Sequence, residues 1–93
     1  MRTYSNFKKQ LLKDKEVKKA YDNLAPEFAI ADAVIEKRLE KGLTQSELAQ
    51  KVGTKQSAIS RLESGNYNPS ITFLEKIAKA LNLNLIISFS GKV

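Results

Sequence analysis

TQSELAQKVGTKQSAISRLES, residues 44–64, decides how this 93-residue chain folds. Thr44 and Glu47, three positions apart, form a capping box: each side chain accepts the other's backbone N–H and starts a helix. Leu48, Ala49 and Val52 supply that helix with one apolar face, and Gly53 ends it. Thr54 is placed to cap a second helix running through Glu63, with Ala58, Ile59 and Leu62 facing inward. Two helices joined across so short a turn need a small residue where they approach, which is Ala49. They need a residue that tolerates positive φ, which is Gly53. They also need apolar positions that share one core, met by Leu48, Val52, Ile59 and Leu62. One glycine between two helices means little, but six positions in fixed register specify a tight helical pair.

The flanks extend this helical reading. Ser64-Gly65 ends the second helix, residues 66–69 (NYNP) form a loop, and Ser70 caps a helix striped by Ile71, Leu74, Ile77, Ala78 and Leu81. Upstream, Pro26 suits a first helical turn. Phe28, Ala31, Ile35 and Leu39 then share a face, and Gly42 suits a left-handed C-terminal position. Ser5 can cap a first leader helix carrying Phe7 and Leu11, and Asp14 a second carrying Val17, Tyr21 and Leu24. From Asn84 the period changes to two: Leu85, Ile87 and Phe89 alternate with Ile86, Ser88 and Ser90, a strand pattern. A lone strand must pair with a second copy, fold back on its own helices or lie unpaired as a tail. The expected architecture is all-α, with five or six helices. It divides into a helical extension (1–25), the helix-turn-helix unit (26–82) and a short C-terminal strand (83–93).

Composition narrows the chemistry. The chain has no cysteine and no histidine, which removes disulfides, thiolate metal sites, the usual general base and the usual zinc ligand. No metal or cofactor is expected. The acidic residues fall on caps and exposed helix faces, so catalysis by paired carboxylates is not expected either. Residues 1–19 are lysine-studded without an apolar core, and no apolar run approaches the ~20 residues of a membrane span. A cytoplasmic location is the expectation. Sixteen basic against ten acidic side chains give +6, a sign suited to a polyanionic partner. Residues 1–23 hold seven basic and three acidic groups, whereas residues 24–93 hold nine and seven. Most of the excess charge thus sits in the leader.

GLTQSELAQKVGTKQSAISRLESG (residues 42–65), followed by NPS (68–70), resembles the helix-turn-helix of the phage-repressor, or Xre, family. The resemblance covers about residues 28–82. It implies that the second helix of the pair enters the major groove of DNA and that dimers read two half-sites of a palindromic operator. By position it implies base reading by Lys55, Gln56, Ser57, Ser60 and Arg61, with Thr54 opening that helix. It also implies phosphate contact by Gln45, a second backbone contact in the loop of Asn66 and Asn68, and a structural ion pair between Arg38 and Glu63. The side-chain chemistry agrees independently: glutamine can bond adenine in a bidentate manner, and arginine or lysine can bond guanine. A helix N-terminus offers N–H groups and a positive dipole end to phosphate. Tyr67 either touches the DNA backbone or covers the core.

FKKQLLKDKEVKKAYDNLAPEF (residues 7–28) ahead of this unit is similar to the leader of HigA-like antitoxins. That likeness implies a protein that neutralises a RelE-like ribonuclease toxin and represses its own operon. Phe7, Leu11, Val17, Tyr21 and Leu24 would be the toxin-binding stripe, with Leu85, Ile87 and Phe89 pairing two copies into a homodimer. The leader departs from many antitoxins in being basic. The alternative reading is a stand-alone repressor whose leader only covers its own domain.

Overall fold

The computed structural model describes residues 3–23 and 26–91, without the side chains of Thr3, Ser5, Tyr21 and Asp22. The capping role expected of Ser5 and the stripe positions Tyr21 and Leu24 therefore lie outside the described side chains. Among the described residues there are six helices and no strand: α1 (Thr3–Leu12), α2 (Lys15–Asp22), α3 (Pro26–Glu40), α4 (Gln45–Val52), α5 (Gln56–Glu63) and α6 (Ile71–Ala80).

The caps follow local chemistry. Asp14 Oδ1 accepts the backbone N–H groups of Glu16 and Val17 at the start of α2. Thr44 and Glu47 form the full capping box of α4, and Ser70 accepts the Phe73 N–H at the start of α6. Gly53 closes α4 at φ 86°, and the N–H groups of Gly53 and Thr54 both reach the Ala49 carbonyl at 2.9 Å. A residue with a Cβ would be strained in that left-handed conformation. Thr54 does not cap the next helix, because the helix starts one residue later than its side chain would require. Lys55 occupies that position instead, so the turn is one residue longer than the sequence suggests.

The core is built where α3, α4, α5 and α6 meet. Leu48, Ile59 and Leu62 are fully buried, with Val34, Ala49, Ile77 and Leu81 around them. Burying each large aliphatic side chain contributes about 1.5–3 kcal/mol. Two expected stripes each lose their first residue to solvent. On α3 the buried apolar residues are Ala31 and Val34, while Phe28 stays exposed. On α6, Leu74, Ile77 and Leu81 of the expected stripe do face the core, but Ile71 is exposed and Phe73 packs inward beside them. Helix α3 contacts both α5 and α1, so more than one of its sides is covered.

The expected C-terminal strand is absent: residues 83–91 carry no regular structure. Asn82, at φ 58°, turns the chain away from the end of α6. A strand is defined by hydrogen bonds to a neighbour, and the single chain provides none. Ile86, Ile87 and Phe89 are left exposed, Phe89 completely.

Candidate nucleic-acid interface

Helix α5 is held on one side and bare on the other. Ile59 and Leu62 point into the core, which turns Gln56, Ser57, Ser60 and Arg61 to solvent, with Lys55 just ahead of them. Side chains cap α4 and α6, but no side chain caps α5. The first-turn amides of α5 therefore keep donor capacity for an anion, reinforced by the positive end of the helix dipole. Lys55 adds a cation at that end, while Gln56 and Ser57 add donors and acceptors suited to base edges.

A polar network fixes the orientation of this helix. The Arg38 guanidinium donates from Nε to Glu63 Oε2 at 2.8 Å and from Nη2 to Glu63 Oε1 at 3.1 Å. Its Nη1 donates to the Leu43 carbonyl at 2.7 Å. The Arg38 side chain is 12% exposed and that of Glu63 4%. One guanidinium thus ties α3 to the end of α5 and to the loop before α4. Gln45 joins the network by donating from Nε2 to Glu63 Oε1 at 2.9 Å. An amide nitrogen carries two hydrogens, so this bond leaves Gln45 one donor for a phosphate.

The loop after α5 is equally ordered. Ser64 Oγ donates to the Arg61 carbonyl at 2.6 Å, and the Asn66 N–H donates to Ser64 Oγ at 3.3 Å. Asn66 and Asn68 are exposed, whereas Tyr67 is half-buried against the core. Gly65 adopts φ 82°, with the Phe28 ring behind it. The Arg61 guanidinium stands 5.7 Å from the centre of the Tyr67 ring, within cation–π range. Lys55, Gln56, Ser57, Ser60, Arg61, Asn66 and Asn68 are all exposed, and Thr54 and Gln45 are half-buried.

The ends of the chain behave differently from each other. Helix α1 is fastened to α3 by a polar cluster that the sequence reading did not single out. Asp32, buried on α3, accepts a hydrogen bond from the Tyr4 hydroxyl, and the Lys8 ammonium lies 2.6 Å from its other oxygen. Lys8 also reaches Glu36 at 3.2 Å. Burial and the bond to Asp32 push the Tyr4 hydroxyl well above its ordinary pKa. Burial alone would lower the Lys8 ammonium, but hydrogen bonds to Asp32 and Glu36 outweigh it and raise its pKa. The available signal was an aspartate inside the apolar run AIADAVI with Glu36 one turn on. Phe7, Leu11 and Val17 remain on the exposed side of the leader, and Leu85, Ile87 and Phe89 are exposed on the tail.

A short helical pair sharing one core, with the second helix exposed along its polar face, defines a DNA-binding helix-turn-helix domain of the repressor type. Residues 34–87 match the helix-turn-helix family, and the chain belongs to it. Over 48 residues it is 46% identical to an uncharacterized HTH-type transcriptional regulator of Archaeoglobus fulgidus, covering 52% of this chain and 69% of that protein. Over 58 residues it is 40% identical to antitoxin HipB of Escherichia coli, covering 62% of this chain and 66% of HipB. Among solved structures it is similar to a chain of a HipA-HipB-O2-O3 complex, with TM-score 0.62 and 33% identity over 74% of this chain and 97% of that one. These relatives are transcriptional regulators and antitoxins rather than enzymes, in keeping with the non-catalytic reading of the sequence. The family match begins at residue 34, so it does not reach the leader on which the likeness to HigA rests. Among the described residues no helix is long and apolar enough to cross a membrane.

Proposed function

We propose that this chain is a sequence-specific repressor that binds a palindromic operator as a homodimer and serves as the antitoxin of a type II toxin–antitoxin pair. The observation that carries the DNA-binding half is the uncapped, exposed N-terminal turn of α5, held in place by the Arg38–Glu63 pair. In this reading Lys55, Gln56, Ser57, Ser60 and Arg61 face base edges. Gln45, Thr54 and the Asn66–Asn68 loop hold phosphates, which position the protein without reading sequence. The domain division assigned to residues 1–25, 26–82 and 83–93 belongs to the same proposal.

The antitoxin half is supported by similarity to HipB, antitoxin by name and part of a HipA-HipB-O2-O3 complex among the solved structures. A small RelE-like ribonuclease is the toxin that the leader's resemblance implies. Phe7 and Leu11 support this, because α1 is docked through Tyr4 and Lys8 and leaves them outward, and Val17 on α2 is exposed as well. Tyr21 and Leu24 complete the proposed stripe. The alternative of a stand-alone repressor is favoured by the transcriptional regulators among the relatives.

Two assays separate these readings. Titration of the protein on its own promoter fragment tests DNA recognition: Gln56→Ala should cost about 1–3 kcal/mol at the cognate site and less on random DNA. Binding like wild type by that variant would remove Gln56 from the base-reading set. Growth rescue against a co-expressed neighbouring ribonuclease tests the antitoxin role. Leu11→Asp with Val17→Asp should abolish rescue while operator binding persists; full rescue would move the toxin contact away from the leader.

A further inference from the structure

The proposed base-reading set includes Arg61, whose long side chain has many rotamers and stands exposed near the end of α5. An arginine free to sample all of them loses that freedom when it meets a base, and the loss subtracts from affinity. The loop after α5 is built so that this one does not start free. Ser64 Oγ caps the Arg61 carbonyl, the Asn66 amide bonds Ser64, and Gly65 turns left-handed against Phe28. The product of that turn is Tyr67, whose ring is packed on the core on one side and lies 5.7 Å from the Arg61 guanidinium on the other.

We propose that Tyr67 is a positioning residue for DNA recognition: its ring is a platform that holds the Arg61 guanidinium at the groove-facing surface. This rests on the reading of Arg61 as a DNA contact and adds a residue that acts through it. The ring's π face attracts the cation and leaves the guanidinium N–H groups free around its edge, so they can still fork onto a guanine or a phosphate. A backbone contact by the tyrosine hydroxyl is the competing role, and it depends on the oxygen rather than the ring. Mere core cover is the third, and it depends on bulk alone.

The test is a double-mutant cycle on full-length protein, read as operator affinity and as preference among single-base operator variants, with thermal unfolding as the control. Tyr67→Phe keeps the platform and should bind like wild type. Tyr67→Leu keeps apolar bulk without the π face and should weaken operator binding roughly two- to fivefold, the span of an exposed cation–π contact. It should also relax preference at the base pair that Arg61→Ala relaxes. In the Arg61→Ala background, Tyr67→Leu should change nothing further. Equal losses in both backgrounds would overturn the proposal, since Tyr67 would then act independently of Arg61. A loss for Tyr67→Phe as large as for Tyr67→Leu would overturn it in favour of the hydroxyl. If Arg61→Ala alone binds like wild type, Arg61 is no contact and the platform serves nothing in recognition, whereas Gln56→Ala still reports on the wider interface.

Discussion

Removing the Glu63 carboxylate should loosen α5 more than any exposed change on it. In the native chain Glu63 accepts from Arg38 Nε and Nη2 and from Gln45 Nε2, all at 2.8–3.1 Å. Glu63→Ala leaves the Arg38 guanidinium, whose side chain is 12% exposed, with Leu43 as its one remaining bond in this network. Breaking a buried pair by deleting one partner costs about 3–5 kcal/mol, and the residual solvent access of Arg38 places this case near the lower end, about 3 kcal/mol. For a domain of this size each kcal/mol shifts Tm by roughly 4–8 °C, so the variant should melt roughly 12–24 °C below wild type. Circular dichroism melts read the stability, and operator titration below the lower Tm reads the loss of helix orientation. The companion Arg38→Met with Glu63→Leu should recover much of the stability, because replacing both charges leaves neither one unpaired. A loss of less than about 4 °C for Glu63→Ala, or a double variant as unstable as the single, would refute the claim that this pair fixes α5.

Gly53→Ala should destabilise by about 1–2 kcal/mol in urea unfolding despite open space around the site, because the cost lies in the left-handed backbone. The leader should undock at alkaline pH. Docking holds the proton on Tyr4 and Lys8 above their ordinary values of 10.0 and 10.5, so it is at full strength below about pH 10 and weakens as pH rises past it. Amide exchange across α1 should show this, and Tyr4→Phe with Lys8→Met should abolish the pH dependence. Deleting residues 85–93 should convert a dimer to a monomer by solution mass while leaving helix content unchanged; a persisting dimer would exclude a necessary role for the tail.

The helical pair was legible because its constraints are local and mutually dependent. Thr44 and Glu47, Ala49 and Gly53, and Leu48 with Ile59 and Leu62 each state a geometric requirement within one or two turns. The ends of the α3 and α6 stripes, Phe28 and Ile71, were less legible. A periodicity places residues on a common face but cannot say how many neighbours cover the helix, and α3 is covered on more than one side. Thr54 shows a similar limit. Its side chain suits a cap, yet the left-handed Gly53 sets how the chain leaves α4, and α5 begins one residue later with Lys55 at its N-cap. The outward face of α5 could be anticipated from the inward one, since Ile59 and Leu62 fix the rotation of the helix and hence of Gln56, Ser57, Ser60 and Arg61.

The two ends of the chain show where apolar spacing alone misleads. Leader and tail both carry large apolar residues at regular intervals, and each reads as a surface in need of cover. In the leader, what meets the domain is instead a polar face: Tyr4 and Lys8 on buried Asp32, with Glu36 beside them. A buried carboxylate left without partners would be costly, so α1 supplies Asp32 with the donors that burial demands. The apolar stripe is thereby turned outward by the polar anchor, which is why Phe7 and Leu11 are exposed on a helix that is nonetheless docked. The tail has no such anchor. Its residues 84–90 are Asn, Leu, Ile, Ile, Ser, Phe and Ser, without a charge to meet the domain, and they carry no regular structure. The same kind of spacing therefore leads to opposite ends: a helix fixed to its own domain with a face to spare, and a segment without regular structure whose apolar side chains stand exposed.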